Sequence, residues 1–305
     1  MADQQLSPAP AVAAVAAHDK ARLQAIGRAA TVALYDELAL YPKPGLVSFI
    51  DTGSHADMDA GTFLRSLFAL RHYFVRIAEA GAQHAPFATL ERLGLAAEAR
   101  MLHATGGVNT HRGAIFSLGL LCAAAGRLHA EGTTPTPARL RAALRDGWGE
   151  ALRSRCGHTG ASNGQRVAQR FGLRSAGEEA ARGLPVLFEV AVPALQAARA
   201  AGLSPREARL QTFFHTVATL DDTNLAHRGG LTGLRDAQRL ARDYLADGGV
   251  RQPDAVARAE AIHRHFVARR LSPGGSADVL AAALWVLRIS PLAVMPANAG
   301  THASA

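Results

Sequence analysis

Apolar residues recur along this chain at helical spacing. Phe63, Leu67, Leu70, Phe74 and Ile77 step by four and three residues, which predicts one continuous helix from about Thr62 to Ala80. Leu140, Leu144, Trp148 and Leu152 repeat the stripe. So do Leu210, Phe213, Val217 and Leu220, and later Leu234, Ala237 and Leu240. The run from Ala114 to Ala125 is apolar all round, which predicts a helix at the centre of the fold. No stretch alternates convincingly with period two, and no Asn-Gly turn separates strand-like runs. The expected fold class is all-α, a single compact domain of roughly ten or more helices. Thr133 to Pro137 reads as an interhelical loop, because two prolines interrupt any helix there. Residues 1–20 and 291–305 read as mobile tails around a helical catalytic domain at 21–290.

Composition supports this picture. The chain has 305 residues, 49% of them hydrophobic, enough for a full core. Only 6% are aromatic, so Ala, Leu and Val must fill the core, which favours closely packed helices. Cys122 and Cys156 form no motif, which fits a reducing cytoplasm. Ala9 to Ala17 is apolar but no basic segment precedes it, so it reads as tail and not as a signal peptide. The Ala114–Ala125 segment is too short to cross a bilayer, so no membrane partner is expected.

The formal charge of +8 is nearly all arginine, and Lys20 and Lys43 are the only lysines. Lys43 therefore stands out as a place where a compact ammonium is wanted.

Five polar, glycine-rich segments interrupt the helices. Tyr41 to Val47 holds Lys43 beside a Pro44-Gly45 turn, with Glu37 one or two helical turns upstream. Gly53 to Asp59 brings His55 near Asp57 and Asp59; metal ligation, acid–base chemistry and simple helix capping all fit. Thr105 to Gly113 contains Gly106, Gly107, Asn109, Thr110, His111 and Arg112 and runs straight into the apolar helix. Its glycines allow backbone N–H groups to face an anion at the helix start. It is not a Walker A loop, since no Gly-Lys-Ser or Gly-Lys-Thr follows.

The fourth segment is Asp221-Asp222-Thr223-Asn224, followed by Arg228, Gly229 and Gly230. Paired carboxylates at the end of an amphipathic helix meet the negative end of its dipole. That penalty predicts a compensating cation, Mg²⁺ carrying phosphates, with Asp221, Asp222, Asn224 and Glu37 as ligand candidates. The fifth segment, Ser272 to Asp278, opens the last long helix; Ser276 is a natural N-cap, and Ser272, Gly274 and Gly275 could equally cradle a phosphate. Together these features suggest a nucleotide polyphosphate ligand.

The five segments, in this order, resemble the triphosphoribosyl-dephospho-CoA synthase family across about Ala33 to Leu287. The resemblance implies that ATP and 3′-dephospho-CoA give 2′-(5″-triphosphoribosyl)-3′-dephospho-CoA and adenine. It implies that the product passes to a transferase loading an acyl carrier protein, of malonate decarboxylase or citrate lyase. Arg112 after His111, and the run Ser66 to Phe74, look closer to the malonate decarboxylase branch. The chain departs from the family where relatives often carry Ser-His-Gly, since it has Ser162-Asn163-Gly164. No acid–base role is assigned there. A homodimer is the candidate assembly, with no sequence feature that fixes the oligomeric state.

Such chemistry is displacement at the anomeric carbon of ribose, through an oxocarbenium-like transition state. Lys43, Arg112, Arg228 and Mg²⁺ suit the triphosphate, and as loop charges Lys43 and Arg112 are expected to be replaceable without loss of fold. Asp57, Asp221 and Asp222 are candidates for base or metal ligand. His55 and His111 are candidates for donor to phosphate or adenine. A nucleotide N-glycosidase using water, and a basic helical nucleic-acid-binding protein, are the competing readings. Against the second, the arginines are scattered among acids and form no binding motif.

Overall fold

The computed structural model describes residues 10–156 and 163–291. Its helices are α1 (Pro10–Leu38), α2 (Ala60–Leu70), α3 (Tyr73–Ala82), α4 (Phe87–Ala104), α5 (Arg112–Ala130), α6 (Pro137–Cys156) and α7 (Asn163–Phe171). They continue as α8 (Ala176–Ala181), α9 (Val192–Ala200), α10 (Pro205–Thr219), α11 (Thr223–Ala246), α12 (Ala255–Ala268) and α13 (Gly274–Ile289). No strand occurs among the described residues, so the fold is all-α.

Two boundaries differ from expectation. Helix α1 begins at Pro10, inside the stretch expected as a tail, because alanine has the highest helix propensity and proline is well placed at a first helical position. Residues 1–9 and 292–305 of the expected tails lie outside the described residues. The continuous helix expected from Thr62 to Ala80 is instead α2 and α3, broken at Arg71 and His72. The Arg71 guanidinium takes up the Phe68 carbonyl at 2.6 Å near the end of α2. Beyond the break, α3 lies along α5, and the buried Tyr73 hydroxyl donates to the Ile115 carbonyl at 2.9 Å. Each half of the stripe thus meets a different partner.

Helix α5 is the axis of the molecule and touches α1, α3, α4, α6 and α13. Length and apolarity alone would let α5, at 19 residues, cross a bilayer, but most of it is buried in this bundle. The α3–α5 contact is backbone to backbone. A Cβ on Gly81 would fall 2.0 Å from the Ala123 carbonyl oxygen, and one on Gly126 would fall 1.9 Å from that of Ala78. Two glycines, one on each helix, therefore set how closely the axes approach. Helix α13 packs on α1 and α5, and Trp285 Nε1 donates to the Ile26 carbonyl at 3.1 Å.

Gly126→Ala is expected to lower the unfolding free energy by about 1–3 kcal/mol, the range for overfilling a tight core. Gly94→Ala is the control: its Cβ would have only the Tyr73 hydroxyl within 4 Å, at 3.8 Å. That change is expected to be neutral or to stabilise by up to about 1 kcal/mol. Urea unfolding of both variants checks the pair.

Candidate active site

Helix ends converge in the interior, and charged side chains satisfy them. The ammonium of Lys43 donates to the Glu37 carbonyl at 2.8 Å, in the last turn of α1, and forms an ion pair with the Glu37 carboxylate. Lys43 is 1% exposed and Glu37 4%. Burial pushes the Lys43 ammonium down and the Glu37 carboxyl up, each opposed by the other's charge. Lys43 is thus no open loop cation, and Glu37 is not a free metal ligand. The loop carrying Lys43 is itself anchored: Gly45 N–H donates to His263 Nδ1 at 3.3 Å, and His263 Nε2 lies 3.2 Å from Asp51.

Asp222 ties two helix starts together. Its Oδ1 accepts from the N–H groups of Asn224 (3.0 Å) and Leu225 (3.4 Å), capping α11. Its Oδ2 accepts from Ser276 N–H (2.8 Å) and Ser276 Oγ (2.9 Å) in the first turn of α13. The dipole argument for a cation therefore reverses, because Asp222 faces positive helix ends. Ser276 is likewise not the N-cap of α13; Pro273 holds that position. A Cβ on Gly275 would come 3.2 Å from the Asp222 carboxylate, and one on Gly274 2.8 Å from Asn224 Nδ2. Asn224 is exposed. Asp221 turns away, accepts from Arg174 N–H at 3.4 Å, and lines a separate cavity of about 160 Å³ with Arg174, Glu179 and Thr219.

At the start of α5 the glycines do a different task from the one expected. The N–H groups of Gly106 and Gly107 donate back to His103 (3.5 Å) and Leu102 (2.7 Å), closing α4 with φ of 68° and 92°. They are not aimed at an anion. Asn109 Oδ1 accepts the Arg112 N–H at 3.2 Å, and the Arg112 side chain pairs with Glu98 at 3.0 Å. The Thr110 hydroxyl is buried without a partner. His111 is buried, with Nδ1 2.6 Å from Ser66 Oγ, its ring edge-on to Phe63, and Nε2 unpartnered. Burial and the nearby Lys43 charge drop its imidazole to about 3, so it is neutral near pH 7.

Asp278, on the first turns of α13, lies against this same end of α5. A Cβ on Gly113 would fall 2.0 Å from Asp278 Oδ2. The Ala114 N–H favours its ionised form, while burial and the charges of Glu37 and Asp222 hold its carboxyl far above the usual range.

A second polar group sits beside this centre. His55 Nε2 is 2.8 Å from Ser272 Oγ, and Arg228 Nη2 donates to His55 Nδ1 at 3.1 Å. With Nδ1 accepting, the ring proton resides on Nε2 and points at Ser272. Burial and Arg228 drop His55 to about 4, with Asp57 opposing, so it is neutral near pH 7 and does not activate Ser272 as a base. Asp57 is 3.7 Å from His55, beyond hydrogen-bond reach, and its side chain is 63% exposed. Arg228 also donates to the Ser54 carbonyl at 3.0 Å. Gly229 packs on Leu271, where a Cβ would fall 2.5 Å from Cδ2. Asp59 simply caps α2, through a capping box with Thr62.

The interior thus gathers Glu37, Lys43, His111, Asp222, Ser276 and Asp278, flanked by His55, Arg228 and Ser272. Among the described residues, no group of three or more His, Cys, Asp or Glu side chains is arranged to hold a metal ion. Ser66 and Asp278 carry roles that sequence reasoning did not assign. A serine inside the buried stripe of α2 was the available signal for the first, and an acid on the first turns of an apolar helix for the second. Asn163 opens α7, while Ser162 lies outside the described residues.

Residues 23–295 match the family described as ATP:dephospho-CoA triphosphoribosyl transferase. A protein of Acinetobacter calcoaceticus named "Probable 2-(5''-triphosphoribosyl)-3'-dephosphocoenzyme-A synthase" is 37% identical over 260 residues, covering 85% of this chain and 89% of its own. A Citrobacter koseri protein of the same name is 39% identical over 295 residues, covering 93% and 97%. No solved structure matches the chain.

Burial of the Glu37–Lys43 pair generates a stability prediction. Lys43→Ala strands a buried carboxylate and is expected to cost about 3–5 kcal/mol. The double change Glu37→Leu with Lys43→Met is expected to recover most of that loss. Urea unfolding of the single and double variants is the measurement; a Lys43→Ala chain as stable as the unaltered one contradicts the assignment.

Proposed function

The chain belongs to the ATP:dephospho-CoA triphosphoribosyl transferase family, and we propose that the transfer occurs where α1, α5, α11 and α13 meet. One observation carries this reading: the family match runs through all five polar segments, and those segments supply the charged interior and its flank. The triphosphoribosyl group of ATP goes to the 2′-hydroxyl of 3′-dephospho-CoA, and adenine leaves. The product is the prosthetic-group precursor that a further transferase loads onto an acyl carrier protein. Arg112 after His111 and the Ser66–Phe74 run favour malonate decarboxylase as its destination. The free thiols of Cys122 and Cys156 suit a reducing cytoplasm.

Positive charge develops on the ribose as the bond to adenine weakens. Carboxylates held in a low-dielectric interior stabilise such charge far better than water does. Glu37, Asp222 and Asp278 supply them. Arg228 and Arg112, at the rim, are the cations within reach of a triphosphate. Lys43 contributes a fixed interior charge and not a direct phosphate contact, because it is sealed against Glu37. A single displacement inverts the anomeric centre and needs both substrates bound together.

The donor set does not fit a resident Mg²⁺. Both Asp222 oxygens are filled by N–H and O–H donors, Glu37 is tied to Lys43, and Asp221 faces Arg174. Mg²⁺ instead enters as part of the substrate, bound to the ATP phosphates with most of its waters.

Mass spectrometry of the products of ATP, with and without dephospho-CoA, tests the reaction. Adenine and the triphosphoribosyl adduct are expected only with the acceptor present. Free ribose triphosphate at equal rate without acceptor would mark a nucleotide N-glycosidase, and no consumption of ATP would remove both readings. Calorimetric titration of the ATP-free chain with Mg²⁺ is expected to show no tight site, while turnover rises with Mg²⁺ until ATP is fully complexed.

A further inference from the structure

A 2′-hydroxyl attacking ribose needs a base, and the acids of the interior differ sharply in whether they can serve. Asp222 has two donors on each oxygen and is 1% exposed. Glu37 is 4% exposed and bound to Lys43. Asp221 faces Arg174 in a separate cavity. Asp57 stands largely in solvent outside the charged interior. Asp278 is different on every count. It is half-buried, it accepts from the Ala114 N–H, and among the described residues no side chain donates to its oxygens, which keep free lone pairs. The missing Cβ at Gly113 is what admits its carboxylate to the start of α5.

We propose that the Asp278 carboxylate is the base that takes the proton of the acceptor hydroxyl as it attacks the ribose of ATP. The assignment rests on the transfer reaction proposed above. The hydroxyl proton goes to an Asp278 oxygen, and the freed oxygen pair forms the bond to the ribose anomeric carbon. The bond from that carbon to adenine breaks, and its electron pair leaves with the purine. Adenine gains one proton from solvent, Asp278 returns one to solvent, and the step balances. The groups facing Asp278 are Glu37 and Asp222, which strengthen it as a base, with Lys43 beyond them paired to Glu37. The start of α5 opposes them by favouring the ionised form. A carboxylate whose proton affinity is raised by neighbouring carboxylates takes a proton from a hydroxyl more readily than an ordinary surface aspartate does.

Three variants test the role. Asp278→Asn is expected to lower kcat by about 10²–10⁴-fold, the usual contribution of a positioned base, with ATP affinity by calorimetry held within about twofold. Asp278→Ala is expected to regain turnover in concentrated sodium formate, whose carboxylate fits the vacated space; a purely structural role would not respond to formate. Gly113→Ala keeps the acid but displaces it, and is expected to lower kcat while leaving the KM for ATP near its starting value. Near-normal kcat in Asp278→Asn or Gly113→Ala overturns the proposal, as does an ATP-binding Asp278→Ala chain that formate fails to rescue. Absence of adduct from the unaltered chain would remove the reaction and the role together; adduct formed equally well by Asp278→Asn would remove the role alone.

Discussion

Asp222 accepts four hydrogen bonds from the first turns of two helices, and the arrangement of the interior follows from that carboxylate. A bundle whose helices end inside the molecule leaves N–H and C=O groups without partners, and each such group costs free energy until it is satisfied. Asp222 answers the starts of α11 and α13 together, so their relative placement is fixed at one residue. Lys43 answers the opposite kind of end, the Glu37 carbonyl in the last turn of α1, and Asp278 lies at the start of α5. The buried charges are thus first a solution to a packing problem. Their chemistry is available because the fold needs them there.

This origin explains the division of labour among the acids. Carboxylates that close helix ends have no lone pairs left for a substrate, whereas the one held only loosely by its helix keeps some. The same logic separates the two histidines. His55 has its tautomer set by Arg228, and His111 is sealed behind Ser66 and Phe63; both are kept neutral by burial. Neutral imidazoles fix geometry around a site without adding charge to it.

The amphipathic stripes made most of the helices legible in sequence, and the apolar run at Ala114 to Ala125 marked the central one. What periodicity could not reveal was where a stripe changes partner, since Leu70 and Tyr73 remain in helical register across a break. The five polar segments were visible as exceptions to the stripes. Their contacts were not, because a capping carboxylate and a metal-binding one look alike in sequence. Asp222 lies after one helix and before another, and only the turn at Leu220 to Asp222 decides which dipole end it meets. Lys43 reads in sequence as an exposed loop cation because the loop that carries it is packed at Gly45 against Leu271 and His263, more than two hundred residues away. Gly106 and Gly107 read as an anion cradle because a helix stop and a phosphate loop want the same residue type.

The glycine contacts between α3 and α5 bear on how the molecule can move. Where two helices meet through side chains, rotamer changes let one slide past the other by small steps. Here a shift of α5 along α3 would drive a Cβ into a carbonyl oxygen, so the seam has a single register. The start of α5 is therefore a stationary point, and Asp278 is held against it. Admission and release of two large substrates then fall to the surrounding loops, and the proposed base is carried on the least adjustable part of the bundle.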